Sequence, residues 1–172
     1  MEFLKLHSDS NVMRVLGLPY QYYSHPKYSS FFSLSHEQKL QCSILHGECS
    51  LCNEGDRVIP RWIIHVLSRR DQRLYLLDVG HSIFASLRKL YKSPQWGDLE
   101  NYDINICQAN SLFPEMNIYP LPPKPLSNFD RKLKKDFMNI DATKNLVMPP
   151  KKLHSYTLNK SYKPEGDYYD NF

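Results

Sequence analysis

Cys49-Ser-Leu-Cys52 is a C-x2-C knuckle, a spacing that lets two thiolates from one turn of chain reach the same tetrahedral ion at about 2.3 Å. Cys42 lies seven residues before Cys49, and His25, His36 and His46 are all near enough along the chain to supply a fourth donor. Three cysteines and one histidine make a structural Zn2+ shell with no open position for water or substrate. Free thiols or a redox couple fit less well, because a reactive C-x-x-C pair usually follows a strand in a βαβ context, and none is read here. No H-E-x-x-H or His-x-Glu deaminase pattern accompanies the cysteines, and no paired carboxylates stand at a catalytic spacing, so no enzyme activity is expected. Cys107, alone in an apparent strand, reads as a small buried hydrophobe.

A second constellation mixes rings and cations. Tyr20, Tyr22, Tyr23, Tyr28, Phe31 and Phe32, with Trp62, Trp96 and Tyr102, stand among Arg14, Lys27, Arg61, Arg69, Arg70 and Arg73. Aromatic faces stack on any base at about 1 to 3 kcal/mol each while arginine and lysine neutralise phosphates, so this mixture suits sequence-tolerant binding of single strands. Each ring taken alone is more readily read as core, since large rings dominate small cores. Alternation places Tyr20 and Tyr22 on one side of a strand and Tyr23 on the other, so some of these rings must be partly exposed.

The elements that would hold these residues are mostly strands. Residues 11–36 are short apolar and aromatic runs broken by Gly17, Pro19 and Pro26, which suits strands and turns. Gln41 to Asp56 reads as a compact loop carrying the cysteines. Arg61 to Ser68 and Arg73 to Val79 form a predicted hairpin, and Ser82 to Tyr91 places Ile83, Leu87 and Leu90 at helical spacing with Arg88 and Lys89 on the other side. Tyr102 to Gln108 alternates as a strand, with Asn117 to Leu121 as its partner. The expected fold is therefore mainly β: a small barrel resembling the oligonucleotide-binding (OB) fold, with one helix, a zinc-binding subdomain at about residues 20–60, and an extended C-terminal arm.

Length and charge agree with one domain and an appendage. The chain has 172 residues, room for one domain over residues 1–125 and an arm over 126–172. Residues 1–130 carry 13 basic and 13 acidic side chains, residues 131–163 carry nine against two, and the last nine carry none against three. Inside the neutral part, Arg57 to Lys92 holds eight basic and two acidic residues, so a basic stripe is predicted on a neutral domain. In the arm, Phe129, Leu133 and Phe137 share one face of a short helix. No apolar run approaches a membrane span and the N-terminus lacks a secretory apolar stretch, so a cytosolic protein without membrane contact is expected.

Taken in order, Gly17-x-x-Tyr20, His25, Cys42-Ser-x-x-His46-Gly47, Cys49-x-x-Cys52, Trp62 and Arg69-Arg70-Asp71 resemble the zinc-containing single-stranded DNA-binding protein of T-even bacteriophages. The segments NVMRVL (11–16), GHSIFASLRKLY (80–91) and WGDLENYDINI (96–106) also look like those of the broader group of phage helix-destabilising proteins. The resemblance covers about residues 10–125. It implies an oligonucleotide-binding barrel with a zinc subdomain and a basic, aromatic-lined cleft between them, in the cytoplasm of a bacterial host cell. It also implies the ligands His25, Cys42, Cys49 and Cys52, with His46 in the loop rather than on the metal. The DNA-contacting set it suggests, together with the ring and cation pattern, is Arg14, Tyr20, Tyr22, Tyr23, Lys27, Tyr28, Phe31, Arg61, Trp62, Arg69, Arg73 and Tyr102. Trp62 matches the family's cleft tryptophan.

There are departures from the family pattern. Only about ten residues precede the first predicted strand, with Lys5 the sole basic one, so the long basic N-terminal arm that promotes cooperative coating there has no counterpart. The acidic tail is reduced to Glu165–Phe172, whose Asp167, Tyr168, Tyr169, Asp170 and Phe172 keep the acid-plus-aromatic tip that recruits replication, recombination and repair enzymes. The leading expectation is a protein that binds single-stranded DNA with little sequence preference in replication, recombination and repair. The alternative is a phage transcription factor or polymerase accessory protein that uses the same zinc-bearing fold and its basic arm for protein contacts.

Overall fold

The computed structural model describes residues 1–25, 34, 38–108, 116–137 and 141–149. Its elements are β1 (Asn11–Ser24), β2 (Lys39–Leu40), α1 (Ser50–Asn53), β3 (Ile59–Ser68), β4 (Leu74–Val79), α2 (His81–Tyr91), β5 (Asp103–Gln108), β6 (Met116–Pro120), α3 (Asn128–Phe137) and β7 (Leu146–Val147). Five strands make one antiparallel sheet in the order β4-β3-β1-β5-β6, and β2 pairs with β7 in a separate parallel ladder. The predicted hairpin, helix and late strand pair all form. Residues 11–36, by contrast, do not begin as a series of short strands: one strand of 14 residues runs from Asn11 to Ser24.

That long strand survives its glycine and proline because of a bulge. Leu16 faces His65 and Tyr20 faces Ile63, so β1 advances four residues where β3 advances two. Two extra residues keep the alternation of faces in step, since the side-chain period in a strand is two. Gly17 takes φ of +74°, a left-handed conformation that a side chain would disfavour, and the loop leaves Leu18 82% exposed at its tip.

Alternation then sorts the side chains. Met13, Val15, Trp62, Ile64, Val66, Leu77, Val79, Ile104 and Ile106 point to one face, where Leu87 of α2 is buried against them and Ile83, Phe84 and Leu90 complete the cover. The other face is smaller: Tyr22, Ile63 and Leu76 lie under Met1, Phe3, Leu74 and Leu146. The N-terminal residues reach it by continuing the sheet beyond β4, with Leu4 N–H donating to the Leu76 carbonyl at 2.8 Å and Leu76 N–H to that of Glu2 at 3.0 Å. A third cluster, Leu40, Cys42, Cys49 and Leu51, with Tyr23, Leu34, Cys52 and Val58 around it, holds the cysteine region.

The mainly β expectation holds, with the strands in one open antiparallel sheet rather than closed into a barrel. Among the described residues β4 and β6 form its two outer members and do not pair with each other. The start of the arm is docked. Ser127 opens α3 by a reciprocal cap, its Oγ accepting from Asp130 N–H at 3.0 Å and Asp130 Oδ2 accepting from Ser127 N–H at 3.3 Å. Arg69 then binds Asp130 at 3.0 Å, and Lys134 pairs with Glu100. Further on, Gln41 N–H donates to the Val147 carbonyl at 2.8 Å and Asn145 Nδ2 to that of Met1 at 2.9 Å, which ties residues 145–147 to the cysteine region and to the N-terminus.

Candidate metal centre and nucleic-acid surface

His25 follows the last residue of β1, and the backbone there carries Cys42 to it. Ser24 bridges to Gln41 and Cys42 N–H donates to the Tyr23 carbonyl at 2.7 Å, so the chain around Cys42 lies beside the end of β1. Cys49 precedes and Cys52 lies within the single turn of α1, closed by Asn53 N–H on the Cys49 carbonyl at 3.1 Å. Gly55, at φ of +76°, turns the chain back so that Asp56 N–H reaches the Leu51 carbonyl at 3.1 Å. One strand end, one bridge and one helical turn therefore deliver four donors to a point.

The ligand atoms of His25, Cys42, Cys49 and Cys52 all lie within 4.8 Å of one another. Cys42 Sγ is 3.5 Å from Cys52 Sγ, and His25 Nε2 is 3.3 Å from Cys49 Sγ and 3.6 Å from Cys52 Sγ. A tetrahedron with arms of about 2.0 to 2.3 Å has edges of roughly 3.5 to 3.8 Å, so these separations fit a four-coordinate ion. His46, which the spacing alone also allowed, sits exposed in a 3-10 turn at Ile44–His46 and outside the cluster. His36 lies outside the described residues.

The three thiols of the cluster differ in how readily they ionise. Burial raises the Cys49 thiol, but the N–H groups of Cys52, Ser43 and Leu51 and the Ser43 hydroxyl outweigh it and bring the group down to about 6. Burial and the neighbouring Cys42 and Cys49 push Cys52 up to about 12, and burial also raises Cys42. One thiolate thus holds its neighbours protonated, and a divalent ion at the centre would reverse that order by drawing all three to the anionic form. His25 is fully buried, and its Nδ1 lies 3.1 Å from Asp56 Oδ2, itself only 3% exposed. A carboxylate on Nδ1 fixes the imidazole with its proton on that nitrogen and leaves Nε2 free to ligate. Asp56 was missed in the sequence because it lies four residues beyond Cys52, outside any ligand spacing.

The predicted DNA contacts separate into interior and surface. Arg14 is fully buried, its Nε 2.5 Å from Asp103 Oδ1 and its Nη1 donating to the carbonyls of Glu100 at 2.7 Å and Lys124 at 2.9 Å. Tyr102 is fully buried beside Trp96, and Tyr22 is 2% exposed with its hydroxyl donating to Asp78 at 3.0 Å. These three belong to the interior rather than to a DNA-contacting surface, because burial closes each to base or phosphate. Trp62 is 7% exposed, with Phe84 of α2 stacked on its face at 4.1 Å, so that face is not open to a base. Arg69 is held between Asp103 and Asp130.

On the surface, Tyr20 and Arg73 are exposed and Tyr23 half-buried against the cysteine region. Arg61 is half-buried, its Nε 2.8 Å from Asp78, and Lys39 of β2 reaches the same carboxylate at 3.8 Å. By register, Tyr20 faces Ile63 and Tyr22 faces Arg61, which places Tyr20 and Arg61 on one side of the sheet. Lys27, Tyr28, Phe31 and the tip residues Asp167, Tyr168, Tyr169, Asp170 and Phe172 lie outside the described residues.

Another basic surface escaped the list of expected contacts. His81, Arg88, Lys89 and Lys92 border a shallow groove floored by Trp62, Phe84 and Ala85. Its signal in the sequence was Arg88 and Lys89, read only as the side of an amphipathic helix opposite its apolar residues. No helix among the described residues is long and apolar enough to cross a membrane. Comparison of the chain with the models of known families, with curated proteins and with solved structures finds no match.

Proposed function

We propose that this chain is a non-catalytic single-stranded DNA-binding protein of the phage helix-destabilising type, in which a zinc ion held by His25, Cys42, Cys49 and Cys52 is structural. Three thiolates and an imidazole in tetrahedral spacing are the donor set of structural zinc, and all four positions are filled by protein. Bound there, the ion supplies charge and a cross-link, and no chemistry at a substrate. The chain's own residues then do the binding.

The observation that carries the reading is the strand order. The first long strand, β1, is flanked by β3 and β5, with β4 and β6 outside them and α2 between β4 and β5. This is the Greek-key order of the five-stranded oligonucleotide-binding barrel with its closing pair left open, and such barrels are partly open by nature. They bind oligonucleotides on the face of their second and third strands and on the adjoining loops. On this reading those strands are β3 and β4, and the connection from β1 to β3 carries the four-ligand cluster. Tyr20 and Arg61 stand on one side of the sheet and Lys39 reaches the Asp78 that Arg61 binds, one ring for stacking and two cations for phosphate.

Titration of tryptophan and tyrosine fluorescence with oligo-dT at several salt concentrations tests the proposal. Quenching is expected, with affinity falling linearly on logarithmic axes by about 0.7 per neutralised phosphate. Absence of both quenching and salt slope refutes it.

A further inference from the structure

We propose a second contact on this protein: the cleft between α2 and the bulge of β1 takes a single unstacked base of a bound strand, with the adjoining phosphates on Arg88 and Lys92. The inference rests on the single-strand reading above and adds to it a site that neither the ring pattern nor the strand order assigns.

The cleft is a cavity of about 380 Å³. That lies within the size range of small-ligand sites and exceeds what one nucleobase needs. Its floor is Val15 and Ile64 from the sheet and Leu87 from the helix, so the bottom is apolar. Phe84 and Tyr91 stand on the α2 side, while Leu18 and Pro19 stand on the bulge side. A flat aromatic base between an aliphatic wall and two rings is the usual arrangement for sequence-tolerant stacking.

Three further observations point to a ligand. Leu18 is 82% and Tyr91 53% exposed, an apolar pair left in water at the mouth of the cleft with no core to join. Next to them, Arg88, Lys89 and Lys92 have no ion-pair partner among the described residues. Cations in the last turn of a helix complement its dipole, but that accounts for neither the protruding leucine nor the exposed ring. Finally, Phe84, Arg88 and Lys92 line both this cleft and the shallow groove over Trp62, so one strand passing along α2 would meet both without a gap.

The bulge wall is built in advance. Gly17 N–H donates to Glu100 Oε1 at 2.8 Å, and Lys134 of α3 holds the other oxygen of the same carboxylate. Glu100 is thereby occupied, and Asp98, the other acid of the lining, accepts from the Glu100 N–H at 3.0 Å. The charge of Glu100 is thus met by Lys134, whereas Asp98 keeps its charge in the cleft lining. A wall fixed before binding loses little freedom when a base enters, which favours affinity.

The test uses the full chain with zinc bound and a dT oligomer carrying 5-iodouracil. Irradiation should cross-link the base to Tyr91 or Phe84, read by peptide mass spectrometry. In parallel, Tyr91→Ala should weaken oligo-dT binding on the order of tenfold with the salt slope unchanged, because it removes a stacking wall. Arg88→Gln with Lys92→Gln should lower the slope by about 1.4, two phosphates at about 0.7 each. All three side chains are exposed, so unfolding is not the expected cause, and thermal melting of each variant checks it. If the protein binds oligo-dT but cross-links only around Tyr20, and both variants bind as the parent does, the cleft is not a base site while the single-strand reading stands. If the parent chain binds no oligo-dT at any salt, both fall together.

Discussion

Replacing Asp103 by asparagine should destabilise the protein more than any other single change of one charge. The carboxylate accepts from Arg14 at 2.5 Å and from Arg69 at 3.1 Å, and the Arg14 side chain is fully buried. Asparagine keeps the volume but removes the counter-charge, so a buried guanidinium is left facing a second one. Breaking a buried pair from one side costs roughly 3 to 5 kcal/mol. For a chain of this size each kcal/mol shifts the midpoint by about 2 to 4 °C, which predicts a Tm lower by roughly 10 °C. Removing the other partner should cost less. Arg14→Met leaves Asp103 with Arg69 and with its 15% solvent exposure, and replaces a buried ion by an apolar chain of similar length. Calorimetry of the zinc-loaded protein and both variants gives the two costs, and oligo-dT titration below the transition gives their binding. A loss under about 1 kcal/mol for Asp103→Asn would refute the burial reasoning. So would loss of binding in a folded Arg14→Met variant, since that would place Arg14 on the DNA.

Other consequences can be measured separately. Chelation should unfold residues around Cys42 to Asp56 and release the β2–β7 ladder, while amides of β3 and β4 stay protected from hydrogen exchange, because the large core contains none of the four ligands. Asp56→Asn should lower zinc affinity by about 10- to 100-fold in chelator competition, with an unchanged ligand set; equal affinity would remove Asp56 from the centre. Acid should loosen α3. Burial raises Asp130 and Glu100, but Arg69 with the Ser127 N–H, and Lys134 with the Gly17 N–H, outweigh it and hold both carboxyls below their ordinary values. Their contribution is therefore complete above the ordinary carboxylate range and lost as pH falls through the lower folded values. Exchange protection of α3 should fall below about pH 4, and Asp130→Asn should loosen the helix already at neutral pH; protection that is flat with pH and unaffected by the variant would disprove the docking role of these pairs.

The donor set of the candidate metal centre was largely legible before any fold, because a C-x2-C knuckle constrains two donors by local geometry alone. The strands and α2 were legible for the same kind of reason, since alternation and helical spacing report which side of a short element meets the core. The choice between His25 and His46 was not contained in spacing. It was decided by the bridge from Ser24 to Gln41, a pairing between residues 17 apart that sets His25 beside Cys42. The clearest misreadings have one cause. Arg14, Tyr22 and Tyr102 carry the residue types of a nucleic-acid surface, and the neighbours of Arg14 and Tyr22 along the chain say nothing of Asp103 or Asp78, the distant carboxylates that make their burial tolerable. Local sequence determined which elements form and which atoms could bind a metal. Whether a ring or a cation faces water was decided only when the sheet brought distant partners together, because burial of a polar group depends on its partner rather than on its own type.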